Sequence, residues 1–280
     1  VLRPRYESYR GIALACGLSP HISDFDPYLM ALLAVDEALR NVICVGADPE
    51  HTAILDNFCW PKVDSEESMG ALVRACVGAK DAALAYGLPF ISGKDSLNNQ
   101  FSKSAEEAKR TGLPQQLAIP PTLLISAVGI VPDVRRCVTM DLKEPGNVLV
   151  LPNANVNVVG LEPARKLHHA VSRAIRGGLV RAAHDVGDGG LAVAVAEMCI
   201  ASGFGVELKD HSFIGCFYES PTFYLLEVAE GDLSSLSMDV DVIGRVTADA
   251  RLKIGKEVDL TVGELARAWR EPLMDGGSSS

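Results

Sequence analysis

The chain has 280 residues, 48% of them hydrophobic and 22% charged, with a formal net charge of −10. That length holds one large or two medium domains, and that composition can bury a sizeable core. The acidic balance excludes broad binding to nucleic acid or to a membrane surface, although a local nucleotide site can oppose the global sign.

Residues 11–18 read as a strand. Asp26-Pro27 then supplies an N-cap and a proline at the first helical position. Ala31, Ala34, Val35, Ala38 and Val42 recur at helical spacing and predict a helix over 27–40. Glu37 and Asn41 lie four apart on it, so they share one side, as a ligand pair or as part of a solvated face. A second apolar segment, 52–57, ends in Asp56-Asn57. Asp64 with Glu67 marks a helix start. Met69, Leu72, Val73, Cys76, Lys80, Ala83 and Leu84 follow at helical intervals, and Gly87 stops the helix.

A short strand over 88–92 then delivers Ile91-Ser92-Gly93-Lys94-Asp95-Ser96-Leu97-Asn98-Asn99. A turn of this composition offers backbone donors, a cation, a carboxylate and a hydroxyl, which suits a phosphorylated ligand. It also reads as an ordinary polar turn. It is not a P-loop, because Asp95 rather than Ser or Thr follows Lys94. Residues 102–116 form a polar excursion with a short helix near 105–110, and 120–131 form a strand. Pro145-Gly146 closes a turn cluster and marks a domain boundary.

The second half opens with a strand over 147–151 and a polar loop over 153–157. A helix over 163–176 carries His168 and His169 on different sides, both partly exposed. A strand over 179–183 leads into His184-Asp185-Val186-Gly187-Asp188-Gly189-Gly190, followed by a buried, small-residue helix over 191–200. Strand, Asp- and Gly-rich turn, then helix N-terminus is an arrangement suited to phosphate or phosphate-bound metal. Strands over 224–229 and 241–246 and a helix over 262–269 complete the pattern. The seven cysteines show no Cys-x-x-Cys spacing and read as reduced, mostly buried thiols of a cytoplasmic protein. No apolar run reaches membrane-spanning length. The start at Val1 suggests an excised piece of a longer polypeptide, and the final Gly-Gly-Ser-Ser-Ser a linker.

In order along the chain, Asp26-Pro27-Tyr28, Ala34-Val35, Glu37-Ala38, Arg40-Asn41, Gly46-Ala47, Asp56-Asn57, Ser92-Gly93-Lys94-Asp95-Ser96-Leu97, Ala183-His184-Asp185 and Asp188-Gly189-Gly190-Leu191 resemble one family. It is the phosphoribosylformylglycinamidine synthases of the aminoimidazole ribonucleotide synthetase superfamily, in the second half of their synthetase region. The resemblance implies an α+β fold of two domains. An N-terminal half-barrel βα domain would span 1–143, an α/β sandwich domain 144–271, and a flexible tail 272–280.

The same resemblance implies an ATP-dependent, glutamine-using ligase of purine biosynthesis, with ATP or ADP and Mg²⁺ as cofactors. Asp56, Gly93 and Lys94 would contact ATP and Ser96 the substrate. Glu37, Asn41 and Asp185 would hold an auxiliary Mg²⁺, their oxygen donors suiting that ion. Asp95, His184, Asp188 and Gly189 would line other parts of the cleft. Gly187 stands where the family has Ser, and Phe223 where Arg is common. No catalytic residue would lie in this stretch. The expected partners are the first half of the synthetase region and a glutaminase module in cis or in trans, with self-association through an apolar sheet face and neither nucleic acid nor membrane. An inactive isolated chain is one expectation. A small-molecule kinase of the same superfamily and a non-catalytic nucleotide-binding scaffold are the alternatives.

Overall fold

The computed structural model describes residues 1–152, 160–209, 214–217 and 223–274. The loop expected over 153–157 and the residues 275–280 of the tail lie outside them. The chain divides into two compact units: Val1–Val42 with Ala47–Pro132, and Ile43–Gly46 with the residues from Asp133 onward. Both combine helices with a mixed sheet, the α+β architecture expected.

The first unit contains strands β1 (Gly11–Leu18), β2 (Thr52–Cys59) and β3 (Phe90–Ser96), the short pair β4 (Gln100–Ser102) and β5 (Gln116–Ala118), and β6 (Thr122–Val131). Its helices are α1 (Pro27–Cys44), α2 (Glu66–Tyr86) and α3 (Ala105–Thr111). The main sheet has the order β1-β6-β2-β3. β1 and β2 each run antiparallel to β6, while β2 and β3 are parallel. Helix α1 lies on one face. A Cβ at Gly17 would stand 2.2 Å from the Ala34 carbonyl oxygen, so only glycine lets α1 sit this close to β1.

Helix α2 packs on α1 through small residues. A Cβ at Gly78 would meet the Tyr28 carbonyl oxygen at 2.4 Å. A buried network pins the end of α2: Tyr86 donates to Asp36 at 2.9 Å, and Asp36 pairs with Arg40 at 2.7 Å. The stripe read from the sequence is therefore not the buried one. Ala75, Gly78, Ala79, Ala82, Ala83 and Tyr86 are buried, whereas Met69, Val73, Cys76 and Leu84 are exposed. Close helix approach selects small residues and turns the larger ones outward. The N-cap is Ser65, whose hydroxyl accepts the Ser68 N–H; Asp64 instead pairs with Lys62. The thiols depart from expectation too, since only Cys44, Cys199 and Cys216 are buried. Cys16 is exposed because it points to the face of β1 that α1 leaves bare.

The second unit contains β7 (Val148–Pro152), α4 (Leu161–Arg176), β8 (Val180–Asp185), α5 (Gly190–Ser202), β9 (Gly205–Leu208), β10 (Tyr224–Val228), β11 (Val240–Thr247), β12 (Arg251–Ile254), β13 (Val258–Thr261) and α6 (Val262–Met274). Its seven strands have the order β13-β12-β9-β11-β7-β10-β8, with β12 and β9 parallel and the remaining neighbours antiparallel. Alternation along β10 divides the layers. Tyr224 points to α4, where its hydroxyl lies 2.6 Å from His168 Nδ1. Leu225 joins the core built with Val195, Met198 and Cys199 of α5. His168 is thus 1% exposed, not partly exposed as expected.

Candidate functional site

The motif Gly93-Lys94-Asp95-Ser96 is not a turn. It lies inside β3, which runs to Ser96 and pairs with β2 from Ile54–Phe90 to Cys59–Ser96. As the sheet's edge strand, β3 can carry polar residues without burying them. Strand periodicity then divides the motif between two faces.

On the face toward α2 stand Asp56, Gly93 and Asp95. Asp56 and Gly93 are register partners. A Cβ at Gly93 would lie 2.5 Å from Asp56 Oδ1. The glycine therefore makes room for the carboxylate. Burial pushes the Asp56 carboxyl up, and the charge of Asp95 adds to that shift. Beside the pair lies a cavity of about 590 Å³, walled by Phe58, Ala83, Leu84, Leu88, Pro89 and Phe90, with Lys80 and Cys76 on its helix side. Lys94 and Ser96 face the opposite way, and the Lys94 ammonium donates to the Ser96 hydroxyl. The structure thus joins Asp56, Gly93 and Asp95, and joins Lys94 to Ser96, but separates the two sets by the thickness of a strand.

The two carboxylates are a hard-oxygen donor set, and Lys80, which lines the same cavity, is paired with Asp81. The carboxylates fit Mg²⁺, which takes one or two carboxylates and fills its remaining positions with water and phosphate oxygens. No three His, Cys, Asp or Glu among the described residues form a cluster that could cage an ion alone.

Glu37 and Asn41 share the side of α1 that meets β1. Glu37 Oε2 accepts the Leu18 N–H at 2.9 Å, and Asn41 Nδ2 donates to the Cys16 carbonyl at 3.3 Å. Both thus help hold α1 on the strand, and the Asn41 carbonyl oxygen is left as its donor atom for an ion. Asp185 belongs to the second unit, at the end of β8.

There β8 extends two residues further than expected and includes His184 and Asp185. His184 stands between two carboxylates, with Nδ1 3.2 Å from Asp185 and Nε2 3.1 Å from Glu197 of α5. Burial alone would lower its pKa, but the hydrogen bonds to both acids prevail and raise it to about 9. Glu197 was not anticipated, although it is the one charged residue in the stretch Gly190–Ser202. Gly189 caps α5 in the left-handed conformation, and its missing Cβ would lie 2.4 Å from Val193 Cγ2. Asp188 is exposed.

The His184 geometry predicts a pH dependence. An imidazole whose folded pKa exceeds its ordinary 6.5 adds stability that is complete below that value. The contribution is lost as pH rises through about 9. His184→Gln is therefore expected to cost about 1–3 kcal/mol near pH 6 and much less above pH 9. Urea titrations of parent and variant across that range measure it. Parallel stability curves would refute the charged arrangement.

The fold has counterparts among known proteins. The AIR synthase related protein N-terminal domain matches residues 5–131, and the C-terminal domain of the same description matches 140–257. The phosphoribosylformylglycinamidine synthase subunit PurL of Thermomicrobium roseum is 31% identical over 98% of this chain. The chain spans 40% of that relative's length. Among solved structures, PurLQS from Thermotoga maritima superposes with a TM-score of 0.72 at 19% identity, over 92% of this chain and 45% of that one. T. maritima PurL complexed with ATP gives 0.69 at 19%, over 92% and 44%. The thiamine monophosphate kinase of Aquifex aeolicus gives 0.60 at 14%, over 91% of this chain and 93% of that one. With both domains matched in order over most of its length, the chain belongs to the AIR synthase related protein family.

Proposed function

We propose that the chain is the second synthetase unit of a phosphoribosylformylglycinamidine synthase, and that it supplies one wall of an ATP and ribonucleotide site. The observation that carries this reading is the Asp56–Gly93–Asp95 arrangement at the rim of an apolar cavity. The apolar walls suit an adenine ring, and the carboxylate pair suits Mg²⁺ on its phosphates. When bound, the ion would offset phosphate charge during phosphoryl transfer. Lys94, on the other face, does not reach a nucleotide in that cavity; a donor without lone pairs, it suits a phosphate of the ribonucleotide rather than a metal. Ser96 beside it is the substrate contact.

The implied reaction begins when the amide oxygen of formylglycinamide ribonucleotide attacks the γ-phosphorus of ATP. ADP leaves and an iminophosphate forms. Ammonia released from glutamine adds at the carbon, phosphate departs, and the amidine remains. This chain's residues bind and orient; the catalytic base and a glutaminase come from partner modules. The test supplies the ribonucleotide, ATP, Mg²⁺ and ammonia to the chain alone and to the chain mixed with a homologous first synthetase unit. Amidine is expected only in the mixture. Amidine from the chain alone, or from neither, would overturn the assignment.

A second reading has one observation in its favour. The thiamine monophosphate kinase of A. aeolicus shares this fold, with a TM-score of 0.60. A small-molecule kinase would consume ATP with thiamine monophosphate as acceptor and no ribonucleotide present.

The bare face of the first sheet supports the partnership. Leu14 is 63% exposed and Leu18 39% exposed there, with Cys16 exposed between them. Leu55, Leu124, Val128 and Ile130 are only partly covered. Apolar sheet faces of this kind seek a partner. Self-association of the chain, abolished by Leu14→Lys, is expected in light scattering. A monomeric parent at high concentration would refute it.

A further inference from the structure

One row of register partners crosses the bare face of the first sheet. It runs from Leu18 on β1 through Leu124 on β6 and Asn57 on β2 to Lys94 on β3. The only acids of these four strands, Asp56 and Asp95, point to the other face. Lys94 is therefore the one charged strand residue of the bare face. Its ammonium meets the Ser96 hydroxyl and no carboxylate among the described residues.

A lysine on an edge strand is explained by the edge itself, where its charge deters pairing with another chain. Asn57 has no such explanation. It is half-buried in β2, which is flanked on both sides by β6 and β3. An inner strand that continues a row of leucines has no structural use for an amide there. The Asn57 amide oxygen accepts from the Cys59 thiol at 3.8 Å, the one contact of this side chain among the described residues. Its NH₂ is left with two hydrogens to donate.

Asn57 and Lys94 are direct partners in parallel strands, and Ser96 follows on the same face of β3. Neighbouring strands lie about 5 Å apart, so an amide, an ammonium and a hydroxyl converge within reach of one small group. All three are donors, and no anionic acceptor stands beside them. A metal ion would meet an ammonium, and a neutral ligand would leave that charge unmatched. A phosphate monoester supplies three acceptor oxygens and nearly two negative charges.

We propose that Asn57, Lys94 and Ser96 form a phosphate-monoester subsite, in which Asn57 is a specificity residue for the phosphorylated end of the ligand. This rests on the reading of the Lys94 face as the ribonucleotide's, and adds Asn57 and the part of the ligand that it takes.

Calorimetry with ribose 5-phosphate and with ribose tests the subsite on the chain itself. Saturable binding of the phosphate ester, and none of ribose, is expected. Asn57→Ala should weaken it by about tenfold or more, and the isosteric Asn57→Asp further still, because it sets a carboxylate against the phosphate. Two native thiols report the location. Cys59 is beside Asn57, and Cys76 lines the cavity on the other side of the sheet. Ribose 5-phosphate should slow alkylation of Cys59, read by peptide mass spectrometry, and leave that of Cys76 unchanged. No binding of the ester, parent-like affinity in both Asn57 variants, or an unprotected Cys59 would overturn the proposal. If the ester binds as expected but formylglycinamide ribonucleotide binds no tighter, the subsite stands and the substrate assigned above falls.

Discussion

Glu227→Ala is expected to destabilise the second unit by about 3–5 kcal/mol, enough to leave a large part of the chain unfolded under mild conditions. Glu227 is fully buried in β10, between β7 and β8. Its carboxylate accepts three donors: the Lys143 N–H at 2.8 Å, the Glu144 N–H at 3.0 Å and Asn147 Nδ2 at 2.7 Å. These come from the turn that leads into β7, so one side chain ties the start of the unit to the middle of its sheet. Alanine would strand all three donors, the buried Asn147 amide and two part-buried backbone N–H groups, and a buried unmade hydrogen bond carries its full desolvation cost.

Glutamine is not a rescue. Its single oxygen can serve the donors on one side, while its NH₂ faces another N–H. Glu227→Gln can keep the Glu144 N–H and Asn147 Nδ2 on its oxygen but sets its NH₂ against the Lys143 N–H, so it should fall between Glu227→Ala and Asn147→Ala, in which the carboxylate keeps two backbone donors. Urea unfolding of the three variants, with unchanged slopes, gives the order. A Glu227→Ala variant within about 1 kcal/mol of the parent would show that the turn finds other acceptors.

Glu227 and Glu197 show which parts of this structure the sequence makes legible. Each is a lone acid in an otherwise apolar element, and burying a charge requires partners. That pattern announces that each residue is special, but not what meets it, because Asn147 and His184 are distant in sequence. The helices, the strands and the α+β class follow from local periodicity and from Pro27, Gly87 and Gly189 at element ends. The buried face of α2 does not. Its alanines and Gly78 look like filler, and only the approach of Tyr28 on α1 makes them the interior. The polar run at 93–96 misleads for a related reason. Polar composition signals a turn only where a central strand would have to bury it. β3 is an edge, so the same residues continue the ladder and alternate between faces.

That alternation gives the second large effect. Gly93→Ala is expected to lower ATP affinity by about tenfold to a hundredfold while costing the fold about 1 kcal/mol or less. Gly93 is not among the residues with positive φ, so its backbone would tolerate alanine. The obstacle is space. The new methyl would stand 2.5 Å from Asp56 Oδ1 and 3.0 Å from its Cγ. The Asp56 carboxylate is the end of a side chain and can swing aside, which keeps the folding penalty small. Swinging aside removes it from the rim of the cavity and from Asp95, the two relations on which the proposed Mg²⁺ and nucleotide contact depends. The cost should therefore depend on the carboxylate itself. Asp56→Ala alone should weaken binding to a similar extent, and adding Gly93→Ala to it should change little further. Additive losses across that cycle would place the role of Gly93 elsewhere, in its backbone rather than in the room it leaves for Asp56. Parent-like affinity in Gly93→Ala would remove this face of β3 from the nucleotide site and leave Lys94 and Ser96, on the opposite face, to account for any binding.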